Sequence, residues 1–180
     1  MKIVLLTSLA ALLASPAMAQ IQAPTPGSTQ TLAERIAAMP KGLPRPKAPD
    51  LDLSIQAARA AVAACAANGH QVSALITDSV GDPVVLLSGD GAGLRSELVV
   101  RTKANTVIKY RVSSLEIANR AEKDARLKAE IEADPDIGMA RGGGVPIVVN
   151  GEFLGAFAVS GAFGPDEECV TAALAKVQLH

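Results

Sequence analysis

Asn150-Gly151 lies between two runs of strand-forming residues, Val145 to Val149 and Glu152 to Ser160. An Asn-Gly pair suits a turn whose two central residues both need positive φ, and the twist of that turn matches the twist of paired strands. The spacing therefore predicts a tight antiparallel hairpin. A second pair of short apolar runs, Val72 to Thr77 and Pro83 to Ser88, flanks Asp78-Ser79-Val80-Gly81-Asp82, whose Asp and Gly residues suit a turn.

Helical patterns surround these hairpins. From Leu51 the chain is Ala-rich, with Ile55, Ala58, Val62 and Cys65 at helical spacing and Gly69 placed for a left-handed stop. Glycines from Gly89 to Gly93 precede a helix from about Leu94 to Tyr110. Ser113 and Glu116 form a capping box that opens a second, highly charged helix to about Glu132. Asp134-Pro135-Asp136 stops it. Pro165, followed by Asp166, Glu167 and Glu168, starts a last helix with Cys169, Ala172, Ala173 and Val177 on its buried stripe. The order helix, hairpin, two helices, hairpin, helix predicts an α+β domain with a mainly antiparallel sheet.

Composition narrows the partners. The 180 residues amount to one ordinary domain, 49% apolar and 19% charged. A net charge of −1, with three Phe, one Tyr and no Trp, gives neither attraction to phosphate backbones nor surface for base stacking, so nucleic acid is not an expected partner.

Lys2, the apolar run from Ile3 to Ala14, and Ala17-Met18-Ala19 make a signal peptide with cleavage after Ala19, against the alternative of an uncleaved N-terminal anchor. The run is too short for the roughly 30 Å of a bilayer core, and no later segment has the roughly 20 apolar residues of a membrane helix. The mature chain from Gln20 is expected to be periplasmic or secreted. Residues 20–50 carry six prolines and read as an arm, in which only Thr31 to Met39 suits a short helix, with Leu32, Ile36 and Met39 on one face. The domain proper spans residues 51–180. Export favours pairing of Cys65 with Cys169, closing a loop of about 100 residues worth on the order of 4 kcal/mol. The alternative is two separate buried thiols.

Asp78-x-x-Gly81, Asp90-Gly91-Ala92, Lys103-Ala104, Gly143-Gly144-Val145-Pro146-Ile147, Gly151-Glu152-x-x-Gly155-Ala156, Val159-Ser160-Gly161 and Asp166-Glu167 occur in this order. The set, from about Leu51 to Val177, resembles the GlcG/HbpS-like haem-binding family, domain of unknown function 336. The resemblance implies a five-stranded antiparallel sheet of order 2-1-5-4-3 flanked by helices, similar to the profilin-like sandwich, and assembly into homo-oligomers. It also implies haem as a cofactor of some members, while others sit beside cobalamin adenosyltransferase domains or are encoded with glycolate metabolism. In the implied topology the end of the first domain helix and the start of the last meet at one sheet edge, which implies a Cys65–Cys169 disulfide.

Haem needs an axial ligand and an apolar slot. His70, between the first helix and the first strand, is one candidate, and the alternative is a solvated turn histidine. His180 is terminal, Tyr110 and Met139 qualify only by position, and Cys-x-x-Cys-His is absent. Gly142, Gly143 and Gly144 lack the Gly-Lys-Ser/Thr ending of a phosphate loop and open a strand. They read as a close-packed turn at a subunit contact, or as a ligand loop whose amides, with Arg141, hold a carboxylate or propionate. Lys103 either points into the same pocket as a cation or pairs with a surface carboxylate. For Asp166 and Glu167, capping and the helix dipole account for the charges better than acid–base chemistry.

No Gly-x-Ser-x-Gly elbow occurs, Ser160 has no histidine partner in view, and no metal-ligand spacing is present. These residues favour an exported homo-oligomeric protein binding a small anionic or tetrapyrrole ligand, with haem as the named candidate and no catalytic machinery expected. The alternatives are an enzyme acting on a hydroxy acid or related metabolite, with Lys103 and Asp166 as its polar groups, and a ligand-free accessory or scaffold subunit.

Overall fold

Both hairpins form where the turn residues place them. In the computed structural model, which describes residues 31–42 and 44–179, β1 (Ser73–Thr77) pairs with β2 (Pro83–Ser88), and β3 (Gly144–Val149) pairs with β4 (Glu152–Ser160). Asn150 and Gly151 take φ of 52° and 80° in the second turn. The expected signal peptide, the arm up to residue 30 and His180 lie outside the described residues.

β1 also pairs antiparallel with β4, so the sheet has four strands in the order β2-β1-β4-β3. This corrects the five strands implied by the resemblance. The missing strand is the one that would have flanked β3. The non-helical stretch leading into β3 carries Pro135, Gly138 and Gly142 in turns and bends, without a β-branched run to form a ladder. Edge strand β3 itself contains Pro146, which has no N–H to offer a neighbour.

The chain divides into two units, Met1–Leu43 and Pro44–His180. In the first, α1 (Leu32–Ala38) is capped at Thr31, whose hydroxyl accepts from the Glu34 N–H at 3.2 Å while its own N–H donates to Glu34 Oε2 at 2.7 Å. Residues 44–50, assigned by composition to the arm, run with the second unit. Arg45 Nη2 donates to the Pro83 carbonyl at 2.6 Å, the Ser79 N–H donates to the Lys47 carbonyl at 2.8 Å, and Lys47 pairs with Glu152.

Strands β1 and β4 are buried along nearly their whole length because helices cover both faces. Alternation along each strand divides the core in two. Ala74, Ile76, Phe157 and Val159 face α2 (Leu51–Ala67) and α6 (Asp166–Leu174), where Ala57, Ala61 and Val170 pack. Leu75, Ala156 and Ala158 face α3 (Leu94–Tyr110) through Val100, Ala104 and Val107. Because α2 and α6 share a face, Cys65 and Cys169 are joined as a disulfide with Cα atoms 5.5 Å apart.

The expected single charged helix is instead two, α4 (Ser114–Ala121) and α5 (Ala125–Ala133). Asp124 breaks it. Its carboxylate accepts from the N–H groups of Arg126 and Leu127 at 2.9 and 3.1 Å, which makes it the cap of a new helix. Ile117, Ile131 and Ile137 hold the two short helices together.

Candidate functional site

Arg95, Val99 and Lys103 recur every four residues along α3 and therefore share one face. That face, the connection from β4 to α6 and the junction of α2 with β1 enclose a cleft of about 710 Å³, within the roughly 300–1,000 Å³ of small-molecule sites. His70, Arg141, Gly142, Phe163 and Asp166 complete the part of the lining that bears on chemistry.

Lys103 sits at the base with its side chain only 2% exposed. Its Nζ donates to the Val159 carbonyl at 2.9 Å and to Asp166 Oδ2 at 2.7 Å. The other carboxylate oxygen, Asp166 Oδ1, accepts from the Ala162 N–H at 2.9 Å. Burial holds the Lys103 ammonium below its ordinary pKa, opposed by the hydrogen bond and charge of Asp166, and the positive charge of Arg141 acts in the same direction as burial. A side chain at Gly143, where φ is +113°, would put its Cβ 2.7 Å from Asp166 Cβ and 2.8 Å from Lys103 Nζ. Glycine at this position is what leaves room for the ion pair.

The glycine run thus acts by close packing. The Gly143 N–H donates to Glu167 Oε2 at 3.2 Å and the Gly144 N–H to Ser114 Oγ at 2.9 Å, so both amides are engaged within the protein. Of the three glycines, only Gly142 reaches the cleft lining. Of the two expected reasons for Asp166 and Glu167, the helix dipole stands, since both lie in the first turn of α6, but capping does not, because Pro165 holds the cap position without a side-chain cap bond. They also fasten the start of α6 to α3 and to the glycine run. Lys103 lines the cleft and pairs with a carboxylate, but that carboxylate is buried and not at the surface as the alternative had it.

His70 is half-buried in the lining, and its backbone N–H donates to the Cys65 carbonyl at 3.0 Å. Tyr110 and Met139 are not in the cleft. Tyr110 Oη donates to Glu130 Oε1 at 3.0 Å, and Met139 is exposed elsewhere. Among the described residues neither Arg95 nor Arg141 pairs with a carboxylate, so the cleft is lined by two arginines without an ion-pair partner, while Lys103 is paired with Asp166. Such a cleft favours anions, and guanidinium forks suit carboxylates. No group of three metal-binding side chains occurs among the described residues.

Sequence reasoning missed Arg95 and Phe163. The first was detectable as a cation two helical steps before Lys103 on the same face. The second stood out only as an aromatic residue between Gly161 and Gly164.

Residues 50–175 match the family model HbpS-like, described as haem degrading protein HbpS-like. Among solved structures, HbpS is 30% identical, with 77% of this chain and 96% of that chain covered and a TM-score of 0.65. A double variant of HbpS from Streptomyces reticuli is 29% identical over 77% of this chain and 93% of that one, also at 0.65. The PduOC:heme complex shares the fold at 22% identity, covering 74% and 97% of the two chains, with a TM-score of 0.66. None of the curated proteins compared matches the chain.

Proposed function

Since this chain belongs to the HbpS-like family, we propose that it is an exported, homo-oligomeric binding protein that takes a small anionic or tetrapyrrole ligand, with haem the first candidate. The observation that carries this reading is the convergence of Arg95, Arg141 and His70 on one cleft beside an exposed phenyl ring.

The donor set fits haem. His70 is the only imidazole among the described residues and would hold the iron. Arg95 and Arg141 would hold the propionates. Bound haem supplies an iron centre with redox and oxygen chemistry, and the protein's own contribution is binding and orientation. The family description and a fold shared with a haem complex support the same ligand. Lys103 and Asp166 are hydrogen-bonded to each other and to the backbone, which supports structural positioning over catalysis of a hydroxy-acid reaction. Export is supported by the Lys2, apolar-run and Ala17-Met18-Ala19 pattern together with the Cys65–Cys169 bridge. Exposed Leu94 and Leu98 on α3 support a contact between copies.

The test is absorbance titration of the mature protein with haem. A saturable Soret shift is expected, altered in position by His70→Ala and weakened by Arg95→Ala and Arg141→Ala. Absence of saturable binding would remove haem as the ligand. Native mass spectrometry of freshly purified protein reads subunit number and any retained small molecule together.

A further inference from the structure

Phe163 is 92% exposed, although it belongs to a chain with only three phenylalanines. The other two are placed as folding requires: Phe157 is wholly buried in the core, and the Phe153 ring packs under the Arg111 guanidinium at 3.9 Å. Phe163 also takes φ of +55°, the left-handed region that side chains with a Cβ rarely enter. Such a conformation persists only where the surroundings over-determine it.

Here they do. The Ala162 N–H just before the phenylalanine is held by Asp166 Oδ1, and Asp166 is held by Lys103, which also holds the Val159 carbonyl at the end of β4. Pro165 limits the backbone between Phe163 and α6. Buried ionic contacts thus fasten the connection at both ends and leave the ring at the cleft wall, where it contributes little to the core.

We propose that Phe163 is a stacking platform that makes the cleft select flat, conjugated carboxylates over flexible anions of equal charge. The inference rests on the reading of the cleft as an anion site and deepens it by naming the ligand's shape. Guanidinium groups of Arg95 and Arg141 recognise carboxylates at the ligand's margin, and the phenyl face covers its ring plane.

The probes are metal-free protoporphyrin IX, a planar dicarboxylate without iron for His70 to bind, and adipate, a flexible dicarboxylate. Dissociation constants are measured on the mature protein and on Phe163→Ala, Phe163→Trp and Arg141→Ala. Because the chain has no Trp, Phe163→Trp adds a single indole whose fluorescence reports directly on a stacked porphyrin. Phe163→Ala is expected to weaken porphyrin binding about ten- to a hundredfold. Phe163→Trp should keep the affinity and show quenching at saturation, and Arg141→Ala should weaken porphyrin binding without involving the ring. Adipate should bind wild type and Phe163→Ala alike, or neither.

Unchanged porphyrin affinity in Phe163→Ala, with wild type binding tightly, overturns the stacking role and leaves the anion site standing. Equal losses for both probes would mark Phe163 as structural support. Dissociation of an oligomer by Phe163→Ala at constant porphyrin affinity would assign the ring to a contact between copies. If wild type binds neither probe, the anion site itself is refuted and the platform with it.

Discussion

Replacing Lys103 by Met removes one half of a buried ion pair and leaves the other half in place. The side chains of Lys103 and Asp166 are 2% and 8% exposed, so water cannot readily solvate the abandoned carboxylate. Asp166 Oδ1 keeps the Ala162 N–H, but Oδ2 loses its donor and the Val159 carbonyl loses the Nζ bond. Breaking such a pair costs about 3–5 kcal/mol, a large part of the roughly 5–15 kcal/mol that holds a domain folded. Asp166→Asn should cost less, about 1–3 kcal/mol, because the amide oxygen still accepts from Ala162 and burial already depresses the Lys103 pKa. The double variant leaves no charge at this point in the interior. It should be more stable than the sum of the two losses implies, with a coupling of about 2 kcal/mol. Urea unfolding followed by circular dichroism measures this through the midpoint at constant m. Losses that add to within about 0.5 kcal/mol, or a Lys103→Met loss below about 1 kcal/mol, would show that the two groups do not depend on each other.

The Cys65–Cys169 bridge spans 104 positions, which the chain-entropy model values at about 4.7 kcal/mol. Calorimetry of the oxidised protein against a Cys65→Ala/Cys169→Ala variant should show a Tm lower by about 10–20 °C in the variant, and a shift of only a degree or two would contradict the argument. A third expectation concerns acid. Lys109 Nζ lies 3.1 Å from Glu130 and 2.9 Å from Asp134, and its hydrogen bonds hold both carboxyls below their ordinary values. Carboxyls with lowered folded pKa values contribute stability above their unfolded values, and that contribution is lost as pH falls through the folded ones. The stability difference between wild type and Lys109→Met should therefore be full at about pH 6 and shrink below about pH 4. A difference that stays constant or grows on acidification would exclude this account.

What was legible in the chain followed from local chemistry. Asn150-Gly151 closes its hairpin, Gly69 takes the left-handed stop with φ of 78°, and Ser113 caps its helix through the Glu116 N–H. β2 and β4 have their expected bounds. Local chemistry also accounts for one difference, since Asp124 caps as Ser113 does but stands inside a charged run that masks it as a cap. The fifth strand came from resemblance alone, and no residues of this chain propose one. The roles of Lys103 and Asp166 were hidden for a different reason. Spacing puts Lys103 midway along a helix and Asp166 at the start of another, but only the packing of α3 under the end of β4 brings them to 2.7 Å. Nothing local distinguishes a buried lysine from a surface one.

The cleft and the disulfide have a common origin in the pairing of β1 with β4. In that antiparallel register Ser73 faces Ser160, so the residues before β1 and those after β4 emerge at the same end of the sheet. His70 belongs to the first group and Phe163 to the second. Gly144 faces Ala158 across the neighbouring ladder, which brings Arg141 and Gly142 to that end as well. Following the chain outward from the same point, Cys65 lies just behind His70 in α2, and Cys169 lies one turn into α6 beyond Asp166. The disulfide therefore ties together two of the segments that line the cleft. Slipping β1 against β4 by a single residue would exchange the faces of Ala74, Leu75 and Ile76 and oppose the packing of both core layers. Apolar burial in the sheet thus sets the position of groups that themselves contribute little to folding, which is why side chains as exposed as Arg95 and Phe163 have defined places at the cleft.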